Sequence, residues 1–177
     1  DQLPHLELAR EIIRKFNSLY KKEVFNEPEA ILTKVSKLVG LDNRKMSKSY
    51  ENFISLSDEP EVVKKKVFSM YTDPNRVRAD VPGKVEGNPV FIYHDLFNPN
   101  TSEVDDLKER YSKGKVGDVE VKQKLTDAIN KYLDPIRDKR KSLSDKDIEQ
   151  IILDGAEKAR IVAKRTMKQV KKCLHQI

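Results

Sequence analysis

The hydrophobic positions along this 177-residue chain predict a mainly helical protein. In six segments apolar residues recur every three or four positions, which is the spacing of the buried stripe of an amphipathic helix. The last four segments are expected to pack together as a small bundle, and the first helix should bury one face. The predicted helices span Leu3–Tyr20, Glu59–Met70, Val90–Phe97, about 102–113, about 121–136 and Asp145 to about Leu174.

One region departs from this helical pattern. Between Pro28 and Asp58 the apolar runs are short and rich in β-prone residues, so strands are predicted over Val35–Leu41 and Phe53–Leu56. The polar, basic stretch 42–52 separates them as a loop. A second long loop is predicted over 71–87, where Asp-Pro-Asn and Pro-Gly mark turns.

Composition narrows the class of protein and its partners. The chain has 35 Lys and Arg against 29 Asp and Glu, and the net charge of +6 favours an anionic partner. Cys173 is the single cysteine, which excludes an internal disulfide framework and a zinc site of several thiolates. The chain has no apolar run near the ~20 residues of a membrane span and does not open with a signal-peptide pattern. A cytoplasmic protein without a membrane partner is therefore expected.

The string Lys45-Met46-Ser47-Lys48-Ser49 carries the clearest candidate chemistry. It follows a predicted strand and offers two ammonium groups, two hydroxyls and backbone N–H groups. Ligands of open α/β sheets bind at the carboxyl ends of strands, so such a loop is suited to hold a polyphosphate. A solvated basic loop is the alternative for a Lys/Ser string taken alone. The three histidines are isolated from one another in sequence, and no metal site is predicted.

The same string matches, letter for letter, the KMSKS signature of class I aminoacyl-tRNA synthetases. The opening DQLPHLELAR, continuing to RKFN, resembles the GEDQ-x-x-H stretch of bacterial-type tryptophanyl-tRNA synthetases, without its leading Gly-Glu. The runs LVGLD, NPV and DGAEKA are similar to the same family, so the resemblance spans most of the chain. Tyrosyl relatives carry a Gly-Ser-Asp-Gln type sequence at the position of the opening DQ.

This resemblance implies ATP-dependent activation of tryptophan and its transfer to tRNA(Trp), with ATP and Mg²⁺ as cofactors. Lys45 and Lys48 would act as the catalytic residues, contacting the β- and γ-phosphates. Gln2 would also bind the amino acid substrate, and Leu38 would touch adenine through its backbone. The ATP-binding set implied by the family is Asp1, Gln2, Leu38, Lys45, Met46, Ser47, Lys48 and Ser49.

The resemblance also implies a domain organisation. Residues 1–56 would form the last part of a Rossmann-like α/β nucleotide-binding domain, and residues 57–177 a helical, anticodon-binding-type domain that binds tRNA. The full-length enzyme is expected to be a homodimer. Tyr111 and Tyr132 could stack on RNA bases, but both fall on apolar stripes and are predicted to be core residues.

The last helix carries a candidate tRNA surface. After Glu157 the chain contains no acidic residue, and its cations could bind the tRNA backbone. A solvated helix surface, whose cations suit the carboxyl-terminal dipole, explains the pattern equally well. The candidate tRNA-binding residues are Lys158, Arg160, Lys164, Arg165 and Lys168.

One family signature does not occur in the chain. No His-x-Gly-His string is present, although the family uses this HIGH motif at the α-phosphate. We therefore expect the first βαβ half and the indole pocket to lie upstream of Asp1, and the chain to be a carboxyl-terminal portion that cannot activate tryptophan alone. Two alternatives stay open: a noncatalytic tRNA-binding or assembly module, and a tyrosyl-tRNA synthetase relative.

Overall fold

The structure is a computed structural model that describes residues 2–32, 38–73, 76 and 78–174. Over these ranges the secondary structure is helical, which confirms the mainly α prediction. None of the helices in these ranges combines the length and the apolar character needed to cross a membrane. The helices are α1 (Leu3–Tyr20), α2 (Pro60–Phe68), α3 (Pro89–Phe97), α4 (Thr101–Ser112), α5 (Asp118–Lys141) and α6 (Asp145–Cys173), with one 3-10 turn at Lys48–Tyr50.

The contacts divide the chain into two compact units. One unit contains α1 and α6, and the other contains the loop region from residue 38 together with α2 to α5. The expected bundle of the last four helices is therefore wrong in its membership, since α6 belongs to the other unit and α2 joins α3, α4 and α5. The expected domain division after residue 56 stays a prediction.

Side-chain caps explain where several helices begin. The Asn88 side chain accepts a hydrogen bond from the backbone N–H of Val90 at 3.0 Å, ahead of α3. Ser144 and Asp147 form a reciprocal capping box at the start of α6. Asn100 caps α4 by accepting from the N–H of Glu103 at 3.2 Å, so this helix begins slightly earlier than the predicted residue 102.

Helix α5 is the centre of its unit, because α2 and α3 both pack on it and α4 packs on α3. Its buried stripe repeats every four residues, as the sequence pattern predicts for one helix face. Phe91 and Tyr111 meet edge to face, with ring centroids 4.9 Å apart. The principal core residues are Val63, Val67, Met70, Phe91, Tyr93, Leu107, Tyr111, Val121, Leu125, Ile129 and Leu133.

The strand predictions are wrong where the structure describes them. Residues 35–37 lie outside the described residues, and over 38–41 and 53–56 no strand forms. Within the described residues, β-pairing is limited to an isolated antiparallel bridge between Val39 and Lys45. The N–H of Ser55 bonds instead to the carboxylate of Asp58 at 2.8 Å. A strand needs a neighbouring strand for its ladder, so β-prone composition alone does not make one.

Helix α1 matches its predicted bounds but not its predicted burial. None of its residues is buried in the structure, and Leu19 is 73% exposed. Its half-buried side packs on the segment that follows it, where Phe16 and Phe25 meet edge to face at 5.1 Å. The Asn17 amide ties this segment down by donating to the carbonyl of Phe25 at 2.8 Å. Helix α6 is also largely exposed, and Val170 is its buried residue.

His94 is fully buried on α3 and is held in one tautomer. Its Nε2 lies 3.0 Å from the carbonyl oxygen of Val121, which can only accept, so Nε2 carries the proton. Nδ1 faces the amide nitrogen of Asn98 at 3.4 Å and acts as the acceptor. Burial lowers the pKa of His94 below its ordinary 6.5.

The lowered pKa of His94 predicts a loss of stability on mild acidification. Below pH 6.5 the unfolded state binds a proton at this histidine that the folded state resists, so the free energy of unfolding rises with pH. Between about pH 7.5 and about pH 5.5 we expect it to fall with a slope of at most about 1.4 kcal/mol per pH unit. Urea unfolding at both pH values measures this. His94→Gln should remove the response and His5→Gln should keep it; equal responses in both variants would contradict the assignment.

Candidate functional site

The KMSKS loop, residues 42–52, begins with a tight turn that follows Val39. The N–H of Gly40 donates to the carbonyl of Arg44 at 2.7 Å, and the N–H of Asn43 donates back to the carbonyl of Gly40 at 3.0 Å. Asn43 has a φ of 64°, a left-handed conformation that asparagine tolerates better than most residues. The turn thus places Lys45 opposite Val39 in the isolated bridge.

The second half of the KMSKS loop is a single 3-10 turn. Ser47 is its N-cap, and the Ser47 hydroxyl accepts from the N–H of Ser49 at 3.2 Å. The turn ends at Glu51, whose φ is 50°. Lys48 and Ser49 are therefore held within one short turn, and both are exposed.

Met46 fastens the middle of the loop to the helical core. Its half-buried side chain lines a small apolar cavity of about 70 Å³, together with Leu38, Ile54, Tyr93 and Phe97 among others. The Tyr93 hydroxyl donates to the carbonyl of Val39 at 2.9 Å, and burial raises the pKa of Tyr93 to about 12. The side chains of Leu38 and Met46 thus pack on protein, and a contact of the Leu38 backbone with adenine stays a prediction.

The two lysines of the signature are available to an external anion. Lys45 and Lys48 are exposed, and neither takes part in the ion pairs found in the described part of the chain. Arg44 differs, because its Nε donates to Asp42 at 2.7 Å and its guanidinium lies 5.2 Å from the centre of the Tyr50 ring. The loop therefore offers two unpaired ammonium groups and one cation that is already occupied.

Asp42 and Asn52 form a polar cluster at the base of the loop that sequence reasoning did not single out. The amide of Asn52 donates to Asp42 Oδ1 at 2.7 Å. This bond and the N–H groups of Arg44 lower the pKa of Asp42 to about 2, so the carboxylate stays ionised at neutral pH. Asn52 is buried in the structure. The sequence around it has no apolar periodicity that could have indicated its burial.

Gln2, the other candidate substrate residue, lies at the start of α1. Its carbonyl accepts from the N–H groups of His5 and Leu6 at 3.1 and 3.2 Å, and its exposed side chain makes no capping bond. Asp1 lies outside the described residues. Gln2 and the KMSKS loop belong to different compact units, each described by itself, so their joint role at one ATP site stays a prediction.

The basic residues of α6 form an exposed surface, here called the α6 basic face. Arg160, Lys164 and Lys168 follow at intervals of four residues, and Lys158 and Arg165 at an interval of seven, so each set shares a side of the helix. All five are exposed. Arg160 forms an ion pair with Glu157, while the other four have no carboxylate partner in the described ranges.

Two aromatic candidates for RNA stacking differ in exposure. Tyr111 is 1% exposed, which confirms its predicted place in the core. Tyr132 is 52% exposed and meets Phe97 edge to face at 5.4 Å, so its predicted burial is wrong. No group of three or more His, Cys, Asp or Glu side chains in the described residues is arranged to hold a metal ion.

Comparison with known proteins gives consistent matches along the chain. A family model described as tRNA synthetases class I (W and Y) matches residues 1–134. The tryptophan–tRNA ligase of Borreliella burgdorferi is 55% identical over 175 residues, covering 97% of this chain and 50% of that protein. The ligase of Treponema pallidum is 50% identical over 177 residues, covering 98% of this chain and 52% of that protein. The chain thus spans about half the length of the curated relatives it matches.

The fold of this chain is similar to that of a solved tryptophanyl-tRNA synthetase. The crystal structure of tryptophanyl-tRNA synthetase from Campylobacter jejuni, complexed with ADP and tryptophan, matches with a TM-score of 0.75. Its sequence is 33% identical, and the match covers 98% of this chain and 54% of that one.

Proposed function

This chain belongs to the family of class I tRNA synthetases (W and Y), and from that premise we propose that it forms the part of a tryptophan–tRNA ligase that binds the ATP phosphates and tRNA(Trp). The sequence resemblance to bacterial tryptophanyl-tRNA synthetases is confirmed by the relatives that carry the ligase name. The same relatives favour tryptophan over tyrosine as the amino acid.

The proposed reaction has two steps. The tryptophan carboxylate attacks the α-phosphate of ATP, the bond to the bridging oxygen breaks, and pyrophosphate leaves. The activated acyl group then passes to the 3′ end of the tRNA, and AMP is released. Lys45 and Lys48 would neutralise the negative charge that develops on the departing pyrophosphate.

One observation carries the proposal: the KMSKS loop is a hydrogen-bonded turn that presents two exposed ammonium groups, neither of which has an ion-pair partner among the residues that the structure describes. These groups fit a polyphosphate. They do not fit a bare metal ion, and the neighbouring Asp42 is already bonded to Arg44 and Asn52. Mg²⁺ would therefore arrive on the ATP phosphates, where it supplies further charge neutralisation.

A chimeric ligase tests the function directly. This chain would replace the matching segment of the Borreliella burgdorferi ligase, and tryptophan-dependent exchange of pyrophosphate into ATP would be measured. We expect exchange at a rate comparable to the parent ligase, and none in the parent with the segment deleted. A folded chimera without exchange would contradict the proposal and favour the noncatalytic tRNA-binding or assembly module.

The chain by itself is proposed to be inactive in tryptophan activation. It contains no His-x-Gly-His string to contact the α-phosphate. The exchange assay on the isolated chain checks this, and exchange at the rate of the chimera would refute it.

The finer features of the proposal rest on the family resemblance. They are a Rossmann-like catalytic part through residue 56, a helical tRNA-binding domain after it, a homodimeric full-length enzyme and a cytoplasmic location. Gln2 would contribute to the tryptophan and ATP site with Asp1, and Leu38 to the adenine site.

The α6 basic face is proposed to contact the tRNA backbone. Each lysine that neutralises a phosphate releases counterions, so the affinity depends on salt. We expect Lys164→Ala with Lys168→Ala to weaken binding of tRNA(Trp) to this chain, and to reduce the slope of log affinity against log salt by about one per lysine. Filter binding or fluorescence anisotropy over a salt series measures both quantities.

Lys146→Ala is the matched control for this experiment. Lys146 is an exposed lysine of the same helix, but it lies near the amino-terminal end between Asp145 and Asp147. Its removal should leave the slope unchanged. If the double variant has the same slope as the control, the face is an ordinary solvated helix surface.

A further inference from the structure

Asn52 is the last residue of the KMSKS loop, and its side chain bonds to both halves of the loop. Its Nδ2 donates to Asp42 Oδ1 at 2.7 Å and to the carbonyl of Lys45 at 3.1 Å. Its Oδ1 accepts from the N–H of Ser47 at 2.9 Å. One side chain thus fixes the backbone on both sides of Met46.

The chemistry of these partners requires an amide at this position. Two of the three partners are acceptors and the third is a donor, and only Asn or Gln offers an acceptor oxygen beside an NH₂ group. The opposite amide orientation would place Oδ1 against a carboxylate and a carbonyl, so the hydrogen-bond network itself fixes the orientation. An ionised carboxylate of the same shape only accepts, so it would keep the bond to Ser47 and lose both others.

The fold makes room for Asn52 and ties it to the core. A Cβ on Gly40 would lie 2.1 Å from Asn52 Nδ2, so a residue with a side chain at position 40 would displace the amide. The Asn52 carbonyl accepts from the N–H of Leu41 at 2.9 Å, and the carbonyl of buried Leu41 accepts from the N–H of Tyr71 at 2.8 Å. The loop is therefore anchored to residues that belong to the packed unit.

The hydrogen bonds of Asn52 matter because, in the described structure, no ion pair of their own side chains holds the two signature lysines in place. Lys45 and Lys48 are exposed and unpaired in the described structure. The backbone conformation of the loop therefore determines by itself where the two side chains are placed. Donors held in place before the ligand arrives cost no reorganisation during the reaction. A loop without this anchor must instead be ordered by the ligand, which weakens binding.

We propose that Asn52 is a positioning residue of this site: its amide holds the KMSKS loop in the conformation that presents Lys45 and Lys48 to a polyphosphate. The inference rests on the proposed function of the loop. It adds that this conformation is set by three hydrogen bonds of a residue that does not itself touch the phosphates.

The test uses the intact chain, with inorganic pyrophosphate as the probe. Nuclear magnetic resonance follows the loop amides during titration and gives the affinity, and hydrogen exchange of the Ser47 N–H reports the anchor itself. For Asn52→Ala we expect Ser47 exchange about tenfold faster, because the acceptor of the Ser47 N–H is removed. For both Asn52→Ala and the isosteric Asn52→Asp we expect pyrophosphate affinity about tenfold lower. Exchange of core amides such as that of Leu125 should change little.

Asn100→Ala is the matched control. Asn100 also accepts a backbone N–H bond, but at the start of α4, so its loss lowers stability without touching the KMSKS loop. Its pyrophosphate affinity should equal that of the unsubstituted chain. Asn52→Asp separates hydrogen bonding from packing, because it keeps the shape of the side chain.

The outcomes separate the two proposals. If the unsubstituted chain binds pyrophosphate and Asn52→Asp binds it equally well, the positioning role is overturned while the phosphate site stands. Unchanged Ser47 exchange in Asn52→Ala would also overturn it. If the unsubstituted chain shows no shift of its loop amides with pyrophosphate, the proposed function of the loop fails, and the role of Asn52 fails with it.

Discussion

Replacing Lys45 or Lys48 by alanine in the chimeric ligase is expected to lower the rate of tryptophan-dependent pyrophosphate exchange by about 10²–10³, or roughly 3–4 kcal/mol each. The reason is that charge accumulates on the pyrophosphate as it leaves, and a fixed ammonium group stabilises that charge more in the transition state than in bound ATP. The loss should therefore appear in kcat as well as in KM. The double variant should lose less than the product of the two single losses.

Both variants should still fold, so a loss of exchange can be attributed to catalysis. The side chains of Lys45 and Lys48 are exposed and form no ion pair within the described ranges, so their removal should change the free energy of unfolding by less than about 0.5 kcal/mol. Lys64→Ala, an exposed lysine of α2, is the matched control and should keep the full exchange rate. Rates within about threefold of the control for both variants would remove these lysines from catalysis.

The helices could be predicted because their signals are local. Helix α1 begins and ends at the predicted Leu3 and Tyr20. Its signal is an apolar stripe with spacings of three and four residues, and this stripe lies entirely within the segment. The buried stripe of α5 could be predicted in the same way. The KMSKS loop was found by its sequence signature, and it lies in the polar, basic stretch 42–52 that the sequence predicts as a loop.

The features that sequence reasoning missed depend on residues far apart along the chain. Phe53–Leu56 has strand composition, but in the described structure its backbone finds side-chain partners rather than a ladder. Asn52 looks like a solvated loop residue until Gly40 and Asp42 are seen to surround its amide. Polar residues of loops carry no periodicity, so their burial shows only in three dimensions.

Arg76 is the clearest example of such a residue. It lies in the stretch 71–87, which the sequence predicts as a long loop, yet its side chain is 0% exposed. It donates to Asp118 at 2.7 Å, to the carbonyl of Val81 at 2.8 Å and to the carbonyl of Ala79 at 2.8 Å. The guanidinium also lies over the ring of Tyr111, 4.0 Å from its centre. Arg76 is therefore a structural residue that joins the loop to the start of α5.

Arg76→Met is accordingly expected to lower the free energy of unfolding by about 3 kcal/mol, the lower end of the range for breaking a buried pair, because Asp118 keeps some solvent exposure. For a chain of this length the loss corresponds to a fall in Tm of roughly 6–12 °C. Arg78→Met is the control, since Arg78 is 75% exposed and pairs with an exposed Asp80, and its loss should cost less than about 0.5 kcal/mol. Combining Arg76→Met with Asp118→Asn should recover part of the loss, because the carboxylate is then no longer left without its cation. Equal urea midpoints for the two methionine variants would show that the buried guanidinium contributes no more than an exposed one.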